Sequence, residues 1–100
     1  MAQGHPEYPI GTSSISWFDS SNQLHIRVYS CDGYWVVERC WDGNGWTNGE
    51  FNQQGSQSSA TCWSDSAGEH IRVYCTFQNV TTEWCFDPGS GWTQGSYTTV

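Results

Sequence analysis

Apolar and polar residues alternate along much of this chain with the period of two that marks a half-buried β-strand. Ile15 and Trp17 alternate with serines and predict a strand over Ser13–Phe18. Leu24, Ile26 and Val28 alternate with His25, Arg27 and Tyr29, which predicts a strand over Leu24–Tyr29 with Arg27 on a polar face among aromatic rings. Asp32-Gly33 is a hairpin signal, Tyr34–Trp41 reads as the returning strand, Asp42-Gly43-Asn44-Gly45 as a second turn, and Trp46–Phe51 as a short outer strand. Four short strands in about 40 residues amount to one blade of a β-propeller.

The pattern is then said a second time. His25-Ile26-Arg27-Val28-Tyr29, Glu38, Cys40-Trp41-Asp42 and Gly45-Trp46 return as His70-Ile71-Arg72-Val73-Tyr74, Glu83, Cys85-Phe86-Asp87 and Gly91-Trp92. Self-similarity at a fixed period of this size signals a repeat architecture. Predicted strands in the second copy are Ala60–Ser64, Glu69–Cys75 and Val80–Phe86, and the copies differ in length only within turns. Residues 1–12, with Pro6 and Pro9, read as a leader or tail, 13–53 as the first blade and 54–100 as the second, joined by a polar linker over Asn52–Ser58. Two blades cannot close a ring that needs roughly four to eight. Association of two, three or four chains is therefore expected.

Composition narrows the class. Seven Trp, five Tyr and four Phe stand beside few aliphatic residues, and eleven Gly accompany many Ser, Thr and Asn, so the fold is all-β with tight turns. The net charge is -7, Lys is absent, and the cations are Arg27, Arg39 and Arg72. Nucleic acid and anionic lipid are thereby disfavoured as partners, since both need a basic patch. Five cysteines cannot all pair within one chain; Cys40 and Cys85 read as small buried thiols, and a bridge between Cys31 and Cys75 is left open. No His/Cys spacing matches a zinc site, and the Asp42–Gly45 turn lacks the acidic twelfth position of a calcium loop, so neither metal nor cofactor is expected.

Two of the three arginines occupy one repeat position, each followed eleven residues later by Glu38 or Glu83 on the neighbouring strand. A guanidinium and a carboxylate together offer directed donors and acceptors suited to a polyol. The bland reading is a cross-strand Arg–Glu ion pair. Trp41 and Phe86 after the cysteines, and Trp46 and Trp92 after the glycine turns, add rings able to stack on the apolar face of a pyranose. Trp17 and Trp63 serve either the ligand or packing between sheets. A glycosidase using Glu38 and Asp42 is the alternative, and an assembly protein with purely structural aromatics a third reading. Near-unchanged duplication favours binding over catalysis.

Taken together these motifs closely resemble the fucose-binding lectins of the Aleuria aurantia type, the two-repeat length being most similar to the short Ralstonia and Burkholderia members. The resemblance implies a six-bladed β-propeller completed by a homotrimer, with L-fucose and fucosylated oligosaccharides bound between adjacent blades. Lipid contact is expected only through fucosylated glycolipids. Carried over residue by residue, a site within the chain uses Arg27 and Glu38 with Phe86 and Trp92, and a site between chains uses Arg72 and Glu83 with Trp41 and Trp46 of another subunit. Trp17, Trp63, Glu50 and Ser96 complete the candidate ligand-binding set. The extra residue in Asp87-Pro88-Gly89-Ser90-Gly91 is expected to displace Trp92, and Phe86 and Glu50 to weaken the site within the chain. Action outside a cell or at its surface is the expected setting, although Met1–Thr12 lacks the pattern of a signal peptide.

Overall fold

The computed structural model describes residues 8–100 as eight antiparallel strands: β1 (Gly11–Phe18), β2 (Leu24–Cys31), β3 (Trp35–Trp41), β4 (Trp46–Gln54), β5 (Gln57–Asp65), β6 (Gly68–Phe77), β7 (Val80–Asp87) and β8 (Gly91–Thr98). They form two four-stranded sheets in the orders β1-β2-β3-β4 and β5-β6-β7-β8, the up-and-down order of a propeller blade. The all-β reading holds. Part of the expected leader, residues 1–7, lies outside the described residues, while Gly11 and Thr12 open β1 opposite Cys31 and Ser30.

The polar stretch expected as a linker is mostly strand. Asn52, Gln53 and Gln54 pair with Val37, Val36 and Trp35, and Gln57 and Ser58 pair with Thr76 and Cys75. Backbone pairing does not require apolar side chains, so composition hid the ladder. The connection that remains is Gly55-Ser56, tied down at 2.9 Å by Gly55 N–H to Tyr34 O and at 2.7 Å by Ser56 N–H to Thr76 O. A β-carbon on Gly55 would meet Val36 Cγ2 at 2.7 Å, so the blades approach too closely here for any side chain.

The core lies between the sheets. Tyr29, Cys31, Val36 and Phe51 of the first pack on Ile71, Val73 and Cys75 of the second. This corrects the face expected to be polar: β2 turns Tyr29 and Cys31 inward along with Arg27, because strand neighbours two apart share a face. The first sheet is thus covered on its Arg face by the reverse face of the second, whose Ile71 and Val73 are buried. Their counterparts Ile26 and Val28 are half-exposed, and the Arg face of the second sheet carries Trp63 and Tyr97 exposed.

Candidate functional site

Register decides what the repeated Arg and Glu can do. Arg27 stands opposite Cys40 and Tyr29 opposite Glu38, so Arg27 and Glu38 are offset along the ladder, and the cross-strand ion pair of the bland reading does not form between them. Arg27 instead donates through Nη1 to Asp42 Oδ1 at 2.8 Å and to the carbonyl of Ile26 at 3.0 Å. Its guanidinium carbon lies 5.0 Å above the Trp17 ring. Trp17 in turn stacks on His25, with centroids 5.2 Å apart. Nε and Nη2 of Arg27 have no protein acceptor among the described residues, which leaves three N–H donors of the fork for a ligand.

Histidine sets the anchor. His25 Nδ1 lies 2.6 Å from Asp42 Oδ1 and Nε2 lies 2.8 Å from Asp19 Oδ2. Those bonds, first to Asp19 and then to Asp42, hold the imidazole pKa above its ordinary range. Burial works to raise the Asp42 pKa, but the bonds from His25 and Arg27 outweigh it and keep the carboxyl ionised. The second copy repeats the arrangement with Arg72 over Trp63 at 4.7 Å, Arg72 to Asp87 at 2.9 Å, and His70 between Asp65 and Asp87. Sequence reasoning weighed Asp42 only as a glycosidase or calcium-loop group and did not join it to Asp19, His25 and Arg27, although Asp19 and Asp65, like Asp42 and Asp87, recur with the repeat.

Glu38 is aimed by a bulge. Val37 pairs with Asn52 and Arg39 with Asn48, so Gly49, Glu50 and Phe51 all stand against Glu38; Glu83 has the same relation to Gly95, Ser96 and Tyr97. The bulge frees the Phe51 amide, which reaches Glu38 Oε1 at 3.4 Å, while Tyr29 O–H donates to Oε2 at 2.7 Å. A β-carbon on Gly49 or Gly95 would collide with the carboxylate, so both glycines seat it. Burial pushes the Glu38 pKa up. Glu83, bonded by Tyr74 and the Tyr97 amide, is held below the usual range.

A cavity of about 300 Å³ between the sheets brings Trp17, Arg27, Glu38, Glu50, Phe86 and Trp92 together, with Ile71 on its apolar wall. Those are six of the twelve expected residues. Within this chain the others remain apart: Arg72, Trp63, Glu83 and Ser96 lie on the second sheet, and Trp41 and Trp46 on the first. Trp46 and Trp63 are each 45% exposed. The longer turn does not displace Trp92, since Phe86 and Trp92 lie 5.4 Å apart at 53° and Trp41 and Trp46 lie 5.8 Å apart at the same tilt. Positive φ at Gly89 and Gly91 lets the turn absorb the extra residue. All five cysteines are free thiols, Cys31 and Cys75 included. Asp42, the nominal glycosidase partner of Glu38, is occupied by Arg27 and His25.

The model of the fungal fucose-specific lectin family matches residues 3–99. The chain belongs to that family. Among solved structures, this family member is similar to a fucose lectin from Kordia zhangzhouensis in complex with methyl-fucoside, at 45% identity and a TM-score of 0.74 over 87% of this chain and 64% of that one. It is also similar to a variant of the Aleuria aurantia lectin in complex with α-methyl-L-fucoside, at 29% identity and a TM-score of 0.70, over 86% of this chain and 30% of the other. The chain thus spans less than two thirds of the length of either. No curated protein matches it in sequence.

Proposed function

We propose that this family member is a non-enzymatic, fucose-specific lectin whose two-blade chains close as a homotrimer into a six-bladed ring. The observation that carries the reading is complementary exposure. The first sheet has a covered Arg face and a bare reverse face; the second has the opposite. Such a head-to-tail surface propagates until a ring closes. The arrangement supports one site per chain built from Arg27, Glu38, Phe86 and Trp92, and one per junction built from Arg72 and Glu83 with Trp41 and Trp46 of the next subunit. Nε and Nη2 of each Arg donate to ring hydroxyls, the Glu carboxylate accepts from them, the indole N–H after the glycine turn adds a donor, and Phe86 or Trp41 covers the apolar sugar face and methyl group.

Single monosaccharide sites typically supply about 4 to 8 kcal/mol, and six on a rigid ring raise avidity on a fucosylated surface by roughly 10² to 10⁴. The test is light-scattering mass with calorimetry of methyl α-L-fucoside. The expected result is about 34 kDa, three times the 11.3 kDa chain, with two sites per chain. A monomer that binds no fucoside, or release of the chromophore from a chromogenic fucoside, would overturn the proposal.

A further inference from the structure

The pocket does not end at Trp17. Beyond that ring a second cavity of about 450 Å³ runs between the β1–β2 and β5–β6 turns, and Trp17 and Glu69 line both spaces. Its carboxylates are not equivalent. Asp19 spends one oxygen on His25 and the other on the amides of Ser21 and Gln23, and Asp65 divides itself between His70 and the Ala67 amide. Glu69 accepts from Ser64 Oγ through Oε1, whereas Oε2 is closed off from solvent and has no hydrogen-bond partner among the described residues. The neighbouring Cys62 thiol, a weak donor, lies 3.7 Å from the Ser16 carbonyl and beside the Glu69 carboxylate; burial and that carboxylate raise its pKa. A buried acceptor left without a donor costs about 1–3 kcal/mol, which a ligand hydroxyl would recover. At the rim Phe18 presents an apolar ring, 63% exposed.

We infer that the two cavities form one extended cleft for a neutral fucosylated glycan: the inner space takes the terminal fucose and the outer space takes the sugar next to it. With a turn of the Glu69 side chain that brings Oε2 out to the outer space, a ligand hydroxyl donates to it, and the apolar face of the second pyranose lies on Phe18. The inference rests on the fucose reading above and names the ligand beyond the terminal residue. A hexose supplies both a hydroxyl donor and an apolar C–H face. Three carboxylates around the outer space repel a sulfated or sialylated neighbour. The device belongs to the site within the chain, because Leu24 occupies the position of Glu69 in the other copy and offers no acceptor.

Calorimetry of the intact protein in an Arg72→Ala background, which silences the other class of site, would compare methyl α-L-fucoside with α-fucosyl disaccharides differing in linkage and neighbouring sugar. The best disaccharide is expected to bind five- to tenfold more tightly than methyl fucoside, and its sulfated form no more tightly than methyl fucoside. Phe18→Ser, at an exposed position, and Glu69→Leu, the residue of the other copy, should each bring the disaccharide advantage to within twofold. A disaccharide that binds no more tightly than methyl fucoside, or an advantage that survives both substitutions, overturns the extended cleft and leaves the fucose reading standing. Failure of methyl fucoside itself to bind removes the fucose reading, and the cleft with it.

Discussion

The two copies carry the same side chains in unlike surroundings. Phe51 is 2% exposed and its counterpart Tyr97 is 49% exposed; Tyr29 is fully buried and Tyr74 is not. The carboxylates register the difference, Glu38 with its pKa raised by burial and Glu83 with its pKa lowered by its hydrogen bonds. One sequence motif therefore yields a finished pocket where a blade covers it and an open half where none does. In the proposed ring, complete sites come from the contact between blades, and each blade supplies complementary halves of two of them.

Substitution of the two tryptophans should break the symmetry most. Trp92 packs on Phe51 at 4.7 Å as well as lining the pocket, so Trp92→Ala should lose the site within the chain and about 2–3 kcal/mol of stability, below the cost of a fully buried ring. Trp46→Ala should remove the other class of site with little change in the melting of the isolated chain. Calorimetry with denaturant melts separates the cases. We expect the site between chains to be the tighter one, and equal losses of affinity from the two variants would contradict that.

Arg27→Ala and Arg72→Ala should each weaken one class of site by about 100-fold, the equivalent of two charge-assisted hydrogen bonds. Trimer mass should be unchanged in both. Collapse of assembly in either variant would mean that the arginine holds the blade instead of the sugar.

A smaller effect concerns pH. His25 and His70 bind protons more tightly when folded, so each adds stability that is complete below the ordinary value of 6.5 and is lost as pH rises through the raised folded value. Asp19, Asp42, Asp65 and Asp87 bind protons less tightly when folded, so their contribution is complete above the ordinary 3.8 and is lost as pH falls through the lowered values. Melting temperature should accordingly be highest between about pH 4 and 6.5 and fall as pH rises beyond that range. The alkaline fall should be flattened in His25→Gln/His70→Gln; an unchanged slope would show that the imidazoles are not the groups responsible.

The smallest expected change comes from Glu50→Ser, which gives the first copy the residue of the second. Glu50 adds a like charge near Glu38. Its removal should improve methyl fucoside affinity at the site within the chain by about two- to threefold and leave the other class unaltered.

Much of this was legible because the repeat fixes strand positions twice over. Composition misled where Asn52–Gln54 and Gln57–Ser58 looked like a linker and yet complete the ladder. Polarity misled at Arg27, whose face is the buried one because Asp42 and the Trp17 ring satisfy the charge. The Arg-to-Glu spacing was real, but a bulge at Glu38 is invisible to a count of residues, and the partner of Arg27 lies past the end of β3. The cleft residue Glu69 breaks the repeat at Leu24, which was its one available signal.

The Gly55-Ser56 connection is too short to let the two blades drift apart, so the pocket between them exists as soon as a chain has folded. In the proposed assembly, the pocket at a junction waits for a neighbour. Valency would then answer to concentration: dilution past the point of assembly would halve the sites on each chain while leaving the surviving one untouched, and would strip away multivalent capture before it stripped away the proposed fucose binding.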